Sequence, residues 1–233
     1  MSIKNAAAIV GVGDIELEEG KVKDGLSVLQ IQAIAAKRAL DDAGLTKSDV
    51  DGLFVAGLWG VPGVGTFPSV VMGEYLGIEP NYTDSTQIGG SSFEAHIGHA
   101  AAAIQAGLCE VALILYGSTQ KSERSRSLAG RPPTFTAQYE TPFGLPSPAG
   151  AYAMAAHRHM HQYGTTNEDL AEIAVATRKW AQLNPYATKR DTISIEDVLQ
   201  SPMITDPLHI LDCCLVTDGA GAVVLVSPER AKD

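Results

Sequence analysis

The chain has 233 residues, 45% hydrophobic and 19% charged, which excludes a disordered tail and provides ample apolar material for a packed core. A formal charge of -10 and a pI near 5.0 exclude a surface built to attract nucleic-acid phosphates or anionic lipid. Cys109, Cys213 and Cys214 form neither a CxxC spacing nor an even-numbered framework, so a reduced, cytoplasmic setting is expected, and no apolar run approaches the roughly 20 residues of a membrane span.

In chain order, residues 6–13 (AAAIVGVG) form an apolar run closed by glycines, the pattern of a buried strand. Ser27 is placed to cap a helix in which Leu29, Ile31, Ile34, Ala35, Ala39 and Leu40 recur at helical spacing until Gly44. A second buried strand is expected over 52–57, a Gly/Pro-rich loop over 60–67, and a helix opened by Pro68, which suits a first helical turn. A short polar segment at 81–86 leads through Gly89-Gly90 into an alanine-rich helix over 91–107. With few large side chains on any face, that helix is expected to be packed on all sides. The run EVALILY at 110–116 is the next buried strand.

A long irregular stretch follows over 118–148, of a length that marks a functional or disordered loop. Helices are expected over 150–163 and from Thr166, where Asp169 completes a capping pair, with a short helical turn over 194–199 and an extended segment over 204–211. The small-residue turn Thr217-Asp218-Gly219-Ala220-Gly221 then opens a final buried strand, 222–226.

Several clusters invite chemistry. His96 and His99 lie three apart on the alanine-rich helix with Glu94 nearby, but match no zinc signature, so hydrogen bonding between elements is expected and no metal is assigned. His157, His159 and His161 alternate along one helix, which reads as a solvated or interface helix. Lys121, Arg124, Arg126 and Arg131 form a basic run, read mainly as a solvated loop with a pocket for one anionic group as the lesser alternative. Ser91 and Ser92 at a helix start are expected to cap rather than attack.

The order β-α-β-α-β-α-β, a long excursion, then β, together with the alanine string 100–107, Asn184-Pro185-Tyr186, and Leu211-Asp212-Cys213-Cys214 running into Thr217-Asp218-Gly219-Ala220-Gly221-Ala222, resembles the sterol carrier protein X, lipid-transfer branch of the thiolases. The resemblance covers essentially the whole chain. It implies an α/β fold, the amino-terminal half of a thiolase, with a mixed central sheet, helices on both faces and a loop subdomain inserted over about 118–205. It also implies that the carboxy-terminal domain is absent from residues 1–233, so that the chain would be inactive alone and would expose the apolar surface that packs on its twin.

In thiolases a nucleophilic cysteine sits on the turn before the buried helix. Matching the family's Gly-Ser step to Gly90-Ser91 puts Gln87 at that position. The same resemblance puts Cys213 and Cys214 in a structural segment, and buried, inert cysteine is expected at all three positions. Gln87 cannot be acylated. Either it helps backbone amides polarise a thioester oxygen, as in thiolase-like aldolases of steroid side-chain breakdown, or it merely satisfies a turn. Pro148, Ala149 and Gly150 fall where many thiolases contact acyl-CoA, although biosynthetic members carry His-Met at Pro148-Ala149.

The implied function is an acyl-CoA enzyme acting on a C–C bond next to a thioester, with retro-aldol cleavage of a 3-hydroxyacyl-CoA favoured by the missing cysteine. The alternative is a non-catalytic acyl-CoA- or lipid-binding or scaffold half. A coenzyme A thioester is the substrate, no cofactor is covalently bound, and a homo- or hetero-oligomer is implied. Many cysteine-less relatives are accompanied by a small partner with a zinc ribbon and an OB-like domain.

Overall fold

A computed structural model describes residues 3–59, 67–123, 137–145 and 148–232. The elements run β1 (Ala8–Asp14), α1 (Val28–Asp42), β2 (Gly52–Trp59), α2 (Pro68–Leu76), β3 (Tyr82–Asp84), α3 (Ser92–Gln105), β4 (Val111–Ser118), α4 (Ala137–Glu140), α5 (Ala149–Tyr163), α6 (Asn167–Leu183), α7 (Ile195–Gln200), β5 (Met203–Thr205), β6 (Leu208–His209) and β7 (Gly219–Val226). They fall into two compact units, Met1–Glu123 with Thr217–Asp233, and Arg124–Val216.

The first unit is a five-stranded mixed sheet in the order β1-β7-β4-β2-β3. Strands β2, β3 and β4 run parallel, while β7 is antiparallel to both neighbours, β1 and β4. Alternation along the central strands sorts side chains onto two faces. Leu53, Val55, Leu113, Leu115 and Val224 pack with Ile31, Ala35 and Ala39 of α1, whereas Phe54, Ala112, Ile114 and Leu225 pack with Ala100, Ala103 and Ile104 of α3. Both faces being covered, β4 needs an unbroken apolar run rather than an alternating one.

Helix α1 begins with a reciprocal capping box, in which Gln30 N donates to Ser27 Oγ (3.3 Å) and Ser27 N to Gln30 Oε1 (2.8 Å). It lies so close to the sheet that a Cβ at Gly11 or Gly13 would stand 2.1 Å from the carbonyl oxygens of Ala39 and Ala35. Those two glycines are therefore packing residues.

Helix α3 departs from the sequence expectation. Its buried residues, Ser92, His96, Ala100, Ala103 and Ile104, form a single stripe at helical spacing, and Glu94, His99, Ala102 and Gln105 are exposed. The alanines permit close approach to the sheet on one face and do not require cover on the other.

In the second unit, α6 and α7 each start with a capping box, Thr166 with Asp169 and Ser194 with Asp197. Ala171 and Val198 are fully buried there. Within the long excursion, residues 137–143 are helical. The segment expected to be extended over 204–211 is a tight β5-β6 hairpin followed by a turn, in which His209 N donates to Asp212 Oδ2 at 2.7 Å. None of the described helices is long and apolar enough to cross a membrane.

Asp218, only 1% exposed, closes the first unit. Its Oδ2 accepts from Val22 N (3.0 Å) and from the Ser122 hydroxyl, and its Oδ1 from Lys121 N (2.8 Å) and Ser122 N (2.9 Å). Its own amide donates to Gly20 O at 2.9 Å. Burial would push this carboxyl up, but the bonds from Ser122, Val22 and Lys121 outweigh it and hold the acid below its ordinary value. Its stabilising contribution is thus full above the unfolded-state value of about 4 and disappears as the pH falls through the lower folded value. Asp218→Asn, which turns an NH2 toward amide donors, is expected to lower unfolding free energy at neutral pH by at least about 2 kcal/mol in urea titrations. The gap between variant and wild type should narrow below about pH 4.

Candidate functional site

The turn from β3 into α3 is stitched by a succession of side chains. Asp84 Oδ1 accepts from Thr86 N and Thr86 Oγ1, both at 2.7 Å. Ser85 Oγ donates to Ser69 Oγ (2.8 Å) at the start of α2, and Gln87 Nε2 donates to the Ala56 carbonyl of β2 at 2.6 Å. Ser92 Oγ accepts from Ile88 N (2.9 Å) and donates to Gly89 O (2.7 Å). Gly89 has φ of +86°, a left-handed conformation that glycine adopts without strain, whereas a side chain at Gly90 would meet nothing within 4 Å.

Capping by both serines is not what forms. Ser91 occupies the cap position with φ -88° and ψ 7°, outside the extended region from which an N-cap hydroxyl reaches back to a helix amide, and makes no side-chain cap bond. Ser92 instead closes the preceding turn. Gln87, Gly90 and Ser91 are exposed at the head of a 14-residue helix, where the first amides lack intrahelical acceptors and the dipole favours negative charge. The Gln87 amide is tied to β2, and the Ser92 hydroxyl is spent on Gly89.

Behind the turn, Asp84 meets both histidines of α3. His99 Nδ1 lies 2.6 Å from Asp84 Oδ2, and His96 Nε2 lies 3.9 Å from Asp84 Oδ1. His96 is fully buried against Phe54, and neither of its ring nitrogens makes a hydrogen bond of normal geometry, the Thr86 backbone giving it only weak support. An unpaired buried polar group of this kind costs about 1–3 kcal/mol. Burial pushes the His96 imidazole toward its neutral form, against the pull of Asp84. Asp84 is pushed up by its own burial, but its bonds from Thr86 and His99 hold it below the usual carboxylate range. Glu94, the acid near the histidines in sequence, is exposed and not part of the cluster. Asp84 was missed because it lies on a separate strand, with no periodic signal linking it to α3.

The second unit is described by itself. Pro148 precedes α5, Ala149 is half-buried and Gly150 is buried in its first turn, while Ser147 lies outside the described residues. A cavity of about 550 Å3 lies elsewhere in that unit, lined by Leu170, Ile173, Arg178, Leu211, Cys213 and Cys214 among others. His157 Nε2 pairs with Asp206 Oδ2 at 2.8 Å and His159 Nδ1 with Thr165 Oγ1 at 2.9 Å, and all three alternating histidines are exposed. In the first unit, the Lys121 ammonium donates to the Glu19 carbonyl, so it serves the loop. Arg124, Arg126 and Arg131 lie outside the described residues.

The three cysteines differ, contrary to the uniform burial expected. Cys109 is buried against the sheet, and desolvation, with Asp51 adding to it, pushes its thiol up to about 11. Cys213 is half-buried and also raised, whereas Cys214 is exposed, because the turn before β7 leaves one of two adjacent side chains facing water.

Residues 7–229 match the family described as "Thiolase, N-terminal domain". The chain is 36% identical to the "Steroid side-chain-cleaving aldolase" of Thermomonospora curvata and 35% identical to the "17-hydroxy-3-oxo-4-pregnene-20-carboxyl-CoA lyase" of Mycobacterium tuberculosis, each over 99% of its length. It spans 59% and 60% of those two proteins. Among solved structures it is similar to the "Ltp2-ChsH2(DUF35) aldolase", with a TM-score of 0.85 and 37% identity over 98% of this chain and 57% of that one.

Native alkylation followed by peptide mass spectrometry is expected to label Cys214 first and Cys213 more slowly. Cys109 should react only after denaturation.

Proposed function

The chain belongs to the thiolase family, matching its amino-terminal domain, and from that premise we propose that it is part of an acyl-CoA enzyme that cleaves a carbon–carbon bond of a steroid- or lipid-derived 3-hydroxyacyl-CoA by retro-aldol chemistry. The observation that carries this reading is the bond from Gln87 Nε2 to the Ala56 carbonyl: we match Gly90-Ser91 to the family's Gly-Ser step, which assigns Gln87 to the position of the thiolase thiol, and a carboxamide tethered to β2 supports that assignment. A carboxamide cannot accept an acyl group, so thiolysis and Claisen condensation through an acyl-enzyme are disfavoured.

Retro-aldol cleavage makes a lighter demand. A base takes the proton of the 3-hydroxyl, the C2–C3 bond breaks as the C3–O bond becomes a carbonyl, and the electron pair passes to the thioester as an enolate. Protonation at C2 then gives a shorter acyl-CoA and a ketone or aldehyde. The amides of Gly90 and Ser91 and the positive end of α3 supply stabilisation for the enolate oxygen, and Gln87 holds their turn against β2. We assign Pro148, Ala149 and Gly150 to contact with the coenzyme A thioester. In this reading residues 1–233 are the amino-terminal thiolase domain with a loop subdomain over about 118–205, and the base comes from a carboxy-terminal thiolase domain on the same or another chain. The similarity to the Ltp2-ChsH2(DUF35) aldolase supports an oligomer with a second type of subunit, for which a small zinc-ribbon and OB-fold protein is our candidate.

The tethering of Gln87 also favours a second reading, in which the site binds acyl-CoA without turning it over. Incubating the completed protein with a 17-hydroxysteroid side-chain CoA thioester and following products by mass spectrometry separates the two. The expected result is a ketone and a shorter acyl-CoA, formed without free CoA and with no acyl adduct on the protein. Gln87→Ala, which releases the turn, is expected to lower kcat/KM by about 100-fold. CoA-dependent cleavage would sink the retro-aldol assignment, and saturable binding with no products would establish the non-catalytic one.

A further inference from the structure

We propose that Asp84, His96 and His99 form a site for a first-row divalent transition metal, with Zn2+ the best match, clamping β3 to α3. One ligand atom from each residue lies within 4.8 Å of the other two, His96 Nε2 and Asp84 Oδ1 being 3.9 Å apart and His99 Nδ1 and Asp84 Oδ2 2.6 Å apart. Around a tetrahedral ion with bonds of about 2.0–2.2 Å, neighbouring ligand atoms stand about 3.4 Å apart. The two separations of 3.9 and 2.6 Å bracket that spacing.

Hydrogen bonding alone accounts for His99 and leaves His96 unexplained. The His96 ring is fully buried, neither nitrogen makes a hydrogen bond of normal geometry, and Nε2 lies 3.9 Å from Asp84 Oδ1. Such a ring is in place as a metal ligand, since a neutral imidazole donates its lone pair and requires no water.

The support for the ligands is also present. Asp84 Oδ1 is fixed by the amide and hydroxyl of Thr86, the kind of outer contact that orients ligating carboxylates. His99, with its side chain 44% exposed, lines with Tyr82, Asp84 and Thr86 an open cleft of about 570 Å3, which provides an entry path and a fourth coordination position for water. Two imidazoles with one carboxylate select zinc, cobalt or nickel over magnesium and calcium, which prefer all-oxygen sets.

The test is titration of the chelator-treated full chain with Zn2+ against a chromophoric chelator, and with Co2+ by visible absorption. The expected result is stoichiometric uptake at one site and the intense bands of four-coordinate Co2+. His99→Ala, at a partly exposed position and with its fold verified by circular dichroism, should weaken Zn2+ at least about tenfold. His157→Ala, in the other unit, should leave binding unchanged. Absence of stoichiometric uptake, or uptake that His99→Ala does not weaken, would overturn the site.

Discussion

A single buried carboxylate decides where three separate stretches of chain meet. Asp218 gathers the amides of Val22, Lys121 and Ser122 and the Ser122 hydroxyl, and returns its own amide to Gly20. These contacts join the loop after β1, the exit of β4 and the entry of β7, the three strands that make up one side of the sheet. A charge so thoroughly desolvated is tolerable only because its oxygens are fully subscribed. The small residues that follow it, Gly219, Ala220 and Gly221, let β7 pass directly into register between β1 and β4.

With that side fixed, the parallel side can carry a site. β2 lies between β4 and the short edge strand β3, and the chain leaves β3 at once for the head of α3. Every bond that shapes the turn, from Thr86, Ser85, Gln87 and Ser92, ends on a neighbouring strand, a helix start or the turn itself. The site is therefore held by the sheet and a neighbouring helix start together with bonds inside the turn. At the head of α3 stand a tethered carboxamide and two glycines, and the polarity of a helix terminus is the chemical resource they leave open.

Much of this was legible because it is local or periodic. The runs at 6–13, 52–57 and 110–116 announce strands, and Ser27 or the pair Thr166 and Asp169 announce helix starts, because residue type and a spacing of three are all the physics requires. Alanine content misled the reading of α3, since small side chains report close approach on one face and say nothing of the other. Ser91 misled for a related reason: residue type suggests a cap, but backbone angles decide whether the hydroxyl can reach an amide. The meeting of Asp84 with His96 and His99, and the four donors on Asp218, are products of topology and leave no spacing to be recognised.

The strand order has a consequence for the growing polypeptide. β7 occupies the slot between β1 and β4, yet it is translated only after the whole second unit. Until then β1 has no partner strand and β4 presents an open edge, so the nascent first unit carries two unsatisfied sheet margins while a contiguous stretch of chain, 124–216, is free to collapse. Closing the sheet requires a contact of very high sequence separation, which is intrinsically slow. Closure of this sheet thus waits on β7, and until β7 is in place the margins of β1 and β4 are open to mispairing.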